Sequence, residues 1–117
     1  MVIEREIRKL EVEGGRVLFD DWFGALRGMN LRVAVDARLA RVRAGNFGDY
    51  KPVGHGVFEL RIDVGPGLRV YYGEQGRRVV ILLGGGDKSS QSRDIRRAIQ
   101  LWQQWKEINK NASKKLP

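Results

Sequence analysis

The chain has 117 residues, with 22 Lys+Arg against 14 Asp+Glu for a formal net charge of +8, one histidine and no cysteine. That length supports one domain with its own core, and the missing thiols exclude disulfide staples, cysteine-ligated zinc, iron–sulfur clusters and thiol catalysis. The charged start, MVIEREIRKLEVE, does not read as a signal peptide, and the longest apolar run, Val79 to Leu83, is far too short to span a bilayer, so a cytoplasmic protein is expected.

Residues 2–7 read as a short mixed strand, ended by Gly14-Gly15. Phe19, Trp22, Phe23 and Leu26 then recur at helical spacing and predict an amphipathic helix of about three turns, whose aromatics belong to a core. Gly28 ends it, and Asn30 is placed to cap a second helix with Leu31, Ala34, Val35, Leu39 and Val42 as its apolar stripe; Arg32, Asp36, Arg38, Arg41 and Arg43 fill much of the rest. So short a link predicts an antiparallel helical hairpin. A polar, glycine-rich connection follows over residues 45–56. The period then changes to two: Phe58, Leu60, Ile62 and Val64 alternate with Val57, Glu59, Arg61 and Asp63, and after Gly65-Pro66-Gly67 the residues Leu68, Val70 and Tyr72 alternate with Arg69 and Tyr71. Val79 to Leu83 predicts a central strand covered on both faces. After Gly84-Gly85-Gly86-Asp87-Lys88, Ser89 or Ser90 caps a last helix with Ile95, Ala98, Ile99, Trp102 and Trp105 on one stripe and Asp94 in its first turn.

The expected fold is therefore α+β, a mostly antiparallel sheet with an N-terminal helical hairpin and a C-terminal helix in the order β-α-α-β-β-β-α. One domain over residues 1–105 is followed by a basic, fraying tail over residues 106–117.

Charge is uneven along this chain. Residues 1–26 hold six acids and four bases, a net of −2, and the remainder nets +10. Arg outnumbers Lys fifteen to seven, and arginine favours bidentate phosphate contacts. A polyanionic partner is expected, with a merely solvated basic surface as the alternative.

A three-residue hairpin loop over residues 65–67 would set Ile62 opposite Val70, Leu60 opposite Tyr72, Arg61 opposite Tyr71 and Asp63 opposite Arg69. Glu59, Arg61, Arg69 and Tyr71 then share a polar patch on an exposed face, at a spacing suited to one phosphate and its ribose. Lys88 and the glycine run could reach the patch edge; His55 and Lys51 come from the preceding loop. Plain mutual neutralisation of Glu59 and Arg61 is the alternative.

Several stretches, taken in order, resemble a known family: Lys51-Pro52-Val53, Gly56-Val57-Phe58-Glu59-Leu60-Arg61-Ile62, Gly65-Pro66-Gly67-Leu68-Arg69-Val70-Tyr71-Tyr72 and Leu82-Leu83-Gly84-Gly85-Gly86-Asp87-Lys88-Ser89-Ser90-Gln91. Together with Phe19, Trp22, Leu26 and Gly45-Asn46-Phe47-Gly48-Asp49, they resemble the RelE/ParE superfamily of bacterial toxins, in its HigB-like addiction module killer protein branch. The resemblance covers roughly residues 2–105. It implies the toxin of a type II toxin–antitoxin module that cuts mRNA in the ribosomal A site without metal or cofactor. The ribose 2′-OH attacks, leaving a 2′,3′-cyclic phosphate and a 5′-OH. It also implies a cognate antitoxin, of helix-turn-helix type in this branch.

Carried onto this sequence, the family's strand bases fall on Glu59 and Arg61, its phosphate-gripping arginine on Arg69 and its late-strand arginine on Lys88. Its C-terminal catalytic tyrosine has no counterpart, because Ser89-Ser90-Gln91 stands there and Tyr71 is not positionally equivalent. In chemical terms Glu59 is the natural proton acceptor, although Arg61 beside it weakens it as a base. Arg61 and Arg69 would fork the phosphate, with Lys51, Lys88 and Ser89 as further phosphate or RNA contacts. Lys88 would neutralise developing charge or donate the proton, with His55 as the second candidate acid. Two alternatives use the same residues: a ParE-like non-enzymatic poison of DNA gyrase, and a basic regulatory domain without toxicity.

Overall fold

The computed structural model describes residues 2–115, with side chains for residues 2–110. β1 (Glu6–Lys9) leads into a small ribbon, β2 (Glu11–Val12) and β3 (Arg16–Val17), turned by Glu13–Gly15. α1 (Leu18–Ala25) and α2 (Met29–Arg43) follow, then β4 (Tyr50–Gly54), β5 (Val57–Ile62), β6 (Leu68–Gln75), β7 (Val79–Asp87) and α3 (Gln91–Lys115). Five strands form one sheet in the order β1-β7-β6-β5-β4. Among the described residues only the β1–β7 pair is parallel. The class is α+β, with a mostly antiparallel sheet and a C-terminal helix.

Alternation along the strands sorts side chains to two layers. Leu60, Ile62, Val70, Tyr72, Val80 and Leu82 pack with Phe19, Val35, Leu39 and Val42 of α1 and α2. Val57, Tyr71, Ile81 and Leu83 pack with Ala98 and Trp102 of α3 on the other side. Each fully buried side chain of this size contributes about 1.5–3 kcal/mol relative to exposure. β7 is accordingly covered on both faces, as its apolar run requires. One tryptophan stands against a glycine on each side. A Cβ on Gly85 would lie 2.3 Å from the Trp22 ring, and one on Gly73 would lie 2.6 Å from Trp102.

Several expectations are corrected. The first strand begins at Glu6 rather than Val2, because only from Glu6 onward does the chain find β7 as a partner. Gly14 and Gly15, at φ 83° and 78°, fold the following segment into the β2–β3 ribbon. β4 lies in the segment read as a glycine-rich connection. It is an edge strand, where Pro52 costs no ladder bond, and its register shifts between Pro52 and Gly54. The order is thus β-β-β-α-α-β-β-β-β-α rather than β-α-α-β-β-β-α.

The expected N-terminal helical hairpin does not open the chain; three strands come before α1. Leu26 is extended (ψ 129°) and Gly28 sits at φ 103°, and each helix packs on the sheet, α1 on β7 and α2 on β5. Asn30 falls inside α2, which starts at Met29 with Gly28 at its N-cap. The chain is helical through Lys115, beyond the boundary expected at residue 105, with Trp105 extending the apolar stripe into the cluster that Leu10 joins. Residues 116–117, the end of the expected tail, lie outside the described residues. The turn over Lys88–Ser90 before α3 is capped by Asp87, not by a serine: its carboxylate accepts from the Ser89 amide at 2.8 Å.

Candidate functional site

The β5–β6 register is offset by two residues from the expected one. Ile62 pairs with Leu68, Leu60 with Val70, Arg61 with Arg69 and Glu59 with Tyr71. A shift of two leaves every side chain on its face, so the apolar pattern cannot tell the two registers apart. The observed one makes residues 63–67 the connection, with Gly67 N–H donating to Val64 O at 3.0 Å. It also sets two guanidinium groups directly opposite each other, an arrangement that is unfavourable by itself.

Glu59 resolves that conflict. Its carboxylate is fully buried. One oxygen accepts from Arg61 Nε at 3.0 Å and lies 3.7 Å from Arg69 Nε; the other accepts from Gln91 Nε2 at 2.7 Å. Arg69 is itself buried and donates through Nη1 to Leu68 O at 3.0 Å. The Arg61 side chain keeps 34 % of its surface exposed. Two cations thus share one carboxylate, and the excess positive charge faces solvent through Arg61. The patch read as exposed is therefore closed over Glu59, because the first turn of α3 brings Gln91 down onto it.

Tyr71 completes the row and is also buried, with its hydroxyl lacking a hydrogen-bond partner among the described residues. Burial raises its pKa well above the ordinary phenol value, and the nearby Glu59 and Asp94 carboxylates push the same way. Glu59 is near enough to bias the phenol, yet no well-formed hydrogen bond joins them. Tyr71 is a neutral phenol at working pH and no general base.

Lys88 and Ser89 are exposed at the end of the sheet where Arg61 and Arg69 lie. The Lys88 amide donates to Gly67 O at 3.1 Å, which ties it beside the β5–β6 connection. Ser89 is held by Asp87, whose pKa is lowered chiefly by the Ser89 hydroxyl hydrogen bond. Lys51 pairs across from Glu59 on β4, but it is exposed. His55 is not brought to the site. It occupies the tip of the β4–β5 hairpin at φ 55°, with Nδ1 3.4 Å from Gln103 Nε2. Six residues of strand separate it from Arg61, on the order of 20 Å.

Two contributors were not predicted. Gln91 fixes the buried carboxylate. Arg38, assigned from sequence to the polar side of its helix, is buried on α2 and donates to Phe47 O at 3.0 Å, Arg61 O at 2.8 Å and Asp49 O at 2.5 Å. Burial, with Arg41 adding to it, lowers its pKa. Its position carried the signal: residue 38 is seven after Leu31 and three after Val35, on the apolar stripe itself.

Fold and site together define an α+β protein with paired arginines held on a sheet by one buried carboxylate. No family model matches the chain. Over 86 residues it is 49% identical to an uncharacterized protein of Haemophilus influenzae, an alignment covering 74% of this chain and 87% of that protein. The chain belongs to the same family as that protein. Among the described residues no helix is long and apolar enough to cross a membrane.

Proposed function

We propose that the chain is a cytoplasmic toxin of a type II toxin–antitoxin module, with a RelE/ParE-like, HigB-like architecture. In this reading it is a ribosome-dependent mRNA endonuclease that needs no metal, and its partners are the ribosome, mRNA and a helix-turn-helix antitoxin. The observation that carries the reading is the Arg61–Arg69 cross-strand pair, aligned by a buried Glu59, with Arg61 opening to solvent beside Lys88 and Arg69 buried behind it. The exposed guanidinium of Arg61, fixed in advance, can hold a phosphodiester oxygen, and the buried Arg69 behind it adds positive charge that neutralises the phosphorane as the 2′-OH attacks in line. Lys88 adds positive charge at the rim. Glu59, removed from solvent and committed to Arg61, Arg69 and Gln91, is the positioning residue for the arginines rather than the proton acceptor.

The test is translation of a reporter mRNA in a purified system, with mapping of 5′-OH ends. Wild type is expected to produce them only on translated message, and Arg61→Ala and Arg69→Ala to lose about 10²–10³-fold, as for a lost charge-stabilising donor. No ribosome-dependent cleavage by wild type, or undiminished cleavage by Arg69→Ala, overturns the reading. The burial of Glu59 specifically favours a second reading, a ParE-like poison that binds gyrase without chemistry. Inhibition of purified gyrase supercoiling, with no mRNA cleavage, would select it.

A further inference from the structure

β7 is nine residues long, but β1 accompanies it only from Val79 to Leu82. From Leu83 onward its outer edge has no strand beside it among the described residues, and α1 and α3 flank that edge from the two sides. Between them lies a cleft of about 240 Å³ with Gly84 and Gly85 as its floor. Such a volume is below the ~300–1,000 Å³ of sites for drug-sized ligands and suits one ring system with its substituents.

The walls are chemically mixed. The half-buried Trp22 supplies an aromatic surface, held close to the strand because Gly85 has no side chain. Tyr71 and Asp94 stand at the inner wall, and the Tyr71 hydroxyl is buried without a partner among the described residues. Asp94 Oδ2 accepts from the Ser90 hydroxyl, and Oδ1 has only a distant contact with Arg93 Nε at 3.9 Å. The exposed Arg16 and Arg97 line the same cleft; Arg16 is paired with Asp21 at 2.7 Å, whereas Arg97 has no ion-pair partner among the described residues. A Cβ built on Gly84 meets nothing within 4 Å, and its φ is not in the left-handed region, so the floor is open space rather than packed core.

We infer that this cleft binds a nucleotide, with the base over the open Gly84 floor and against the accessible surface of Trp22, and the phosphate on Arg97. The Watson–Crick edge of every nucleobase sets a hydrogen-bond donor beside an acceptor. The Asp94 carboxylate, whose Oδ1 accepts no hydrogen bond among the described residues, takes the donor. An aromatic surface provides stacking for any base, which makes the site tolerant of sequence. A guanidinium without a carboxylate partner matches a phosphate. The cleft lies on the opposite side of the α3 N-terminus from Arg61, and its occupancy requires neither the ribosome nor cleavage.

The test titrates the full ¹⁵N-labelled chain with cytidine monophosphate, cytidine, phenyl phosphate and a short single-stranded RNA. Cytidine monophosphate is expected to shift the Trp22 indole and the Gly84 and Gly85 amides. Cytidine and phenyl phosphate, each lacking one half of the ligand, are expected to bind about tenfold more weakly, the ratio equivalent to 1.4 kcal/mol. Gly84→Leu, which fills the cleft without backbone strain, abolishes these shifts, and Arg97→Glu weakens binding by at least about tenfold. If Gly84→Leu does not fold, Arg97→Glu decides alone, since that side chain is exposed. RNA shifting the same three resonances identifies an RNA residue as the ligand; mononucleotide binding without RNA binding identifies a free nucleotide. No shift with cytidine monophosphate, or shifts unchanged by the variants, overturns the inference and leaves the endonuclease reading to its own assay.

Discussion

The α1/α2 face of the sheet and its α3 face arise from the same alternating strands, yet they close differently. On the first, Leu60, Ile62, Val70 and Tyr72 meet an apolar layer of Phe19, Val35, Leu39 and Val42. Its one buried charge, Arg38, is satisfied by three backbone carbonyls. On the second, Val57, Ile81 and Leu83 close against Trp102, but the rows beyond them carry Glu59, Arg61 and Arg69 under the N-terminal turn of α3. One face is held mainly by area removed from water. The other is held in part by an ion cluster whose members depend on one another. Such a cluster is weak as a source of stability and strong as a way to fix side-chain geometry, because removing a single member strands the rest.

The sharpest way to break this contrast is to delete one group from each face. Glu59→Ala leaves two guanidinium groups uncompensated and is expected to cost about 3–5 kcal/mol in chemical denaturation. Leu60→Ala, its neighbour on the other face, is expected to cost a similar 2–5 kcal/mol through a cavity. Arg69→Met should restore part of the stability of Glu59→Ala and none of that of Leu60→Ala. Equal recovery in both would mean that the cluster is not a coupled unit.

Arg38→Met comes next, at about 2–4 kcal/mol, since it unpairs carbonyls of Phe47, Asp49 and Arg61 together. Because Arg61 O is one of them, the variant should also loosen β5 beside the arginine pair. Faster amide exchange at residues 58–62 would register this, and unchanged exchange there would restrict Arg38 to tying down the loop.

Gly85→Ala and Gly73→Ala probe the matched tryptophan seats, and each is expected to cost about 1–3 kcal/mol by overpacking. Near-ultraviolet circular dichroism and melting of the two variants compare the faces directly. Indifference to either substitution would show that its tryptophan has room to move.

The smallest effect at neutral pH comes from Tyr71→Phe and Tyr72→Phe, one on each face. Burial raises both phenols' pKa values above the ordinary 10.0, with Glu59 and Asp94 adding to it at Tyr71, and Glu74 and Tyr50 at Tyr72. Below that value both states hold the proton and stability does not change with pH. Above it the unfolded chain loses a proton that the folded chain keeps, so stability falls as pH rises. Each phenylalanine variant should flatten that alkaline decline in urea titrations between pH 9 and pH 12. A decline of unchanged slope would place the titrating groups elsewhere.

Much of this was legible from the chain alone. The period-two pattern of residues 57–64 and 68–72 assigned side chains to the correct faces, and the apolar run of Val79 to Leu83 identified a covered strand. β4 escaped notice because Pro52 and its glycines read as loop, and it becomes a strand only through pairing with β5. Arg38 escaped because a charged residue was assigned outward although its spacing pointed inward. The helical hairpin was expected at the chain's start, whereas β1 and the β2–β3 ribbon come before it because they pair with β7 and with each other only once folded.

The amino-acid sequence by itself determined which side chains share a face, because strand alternation is a local property of the backbone. It also determined the positive charge and the identity of the arginines. Only the tertiary structure decided which residues oppose one another, since a two-residue offset preserves every face while changing every partner. Burial of Glu59 was likewise a tertiary outcome, because it depends on Gln91 arriving from an element 32 residues away in the chain.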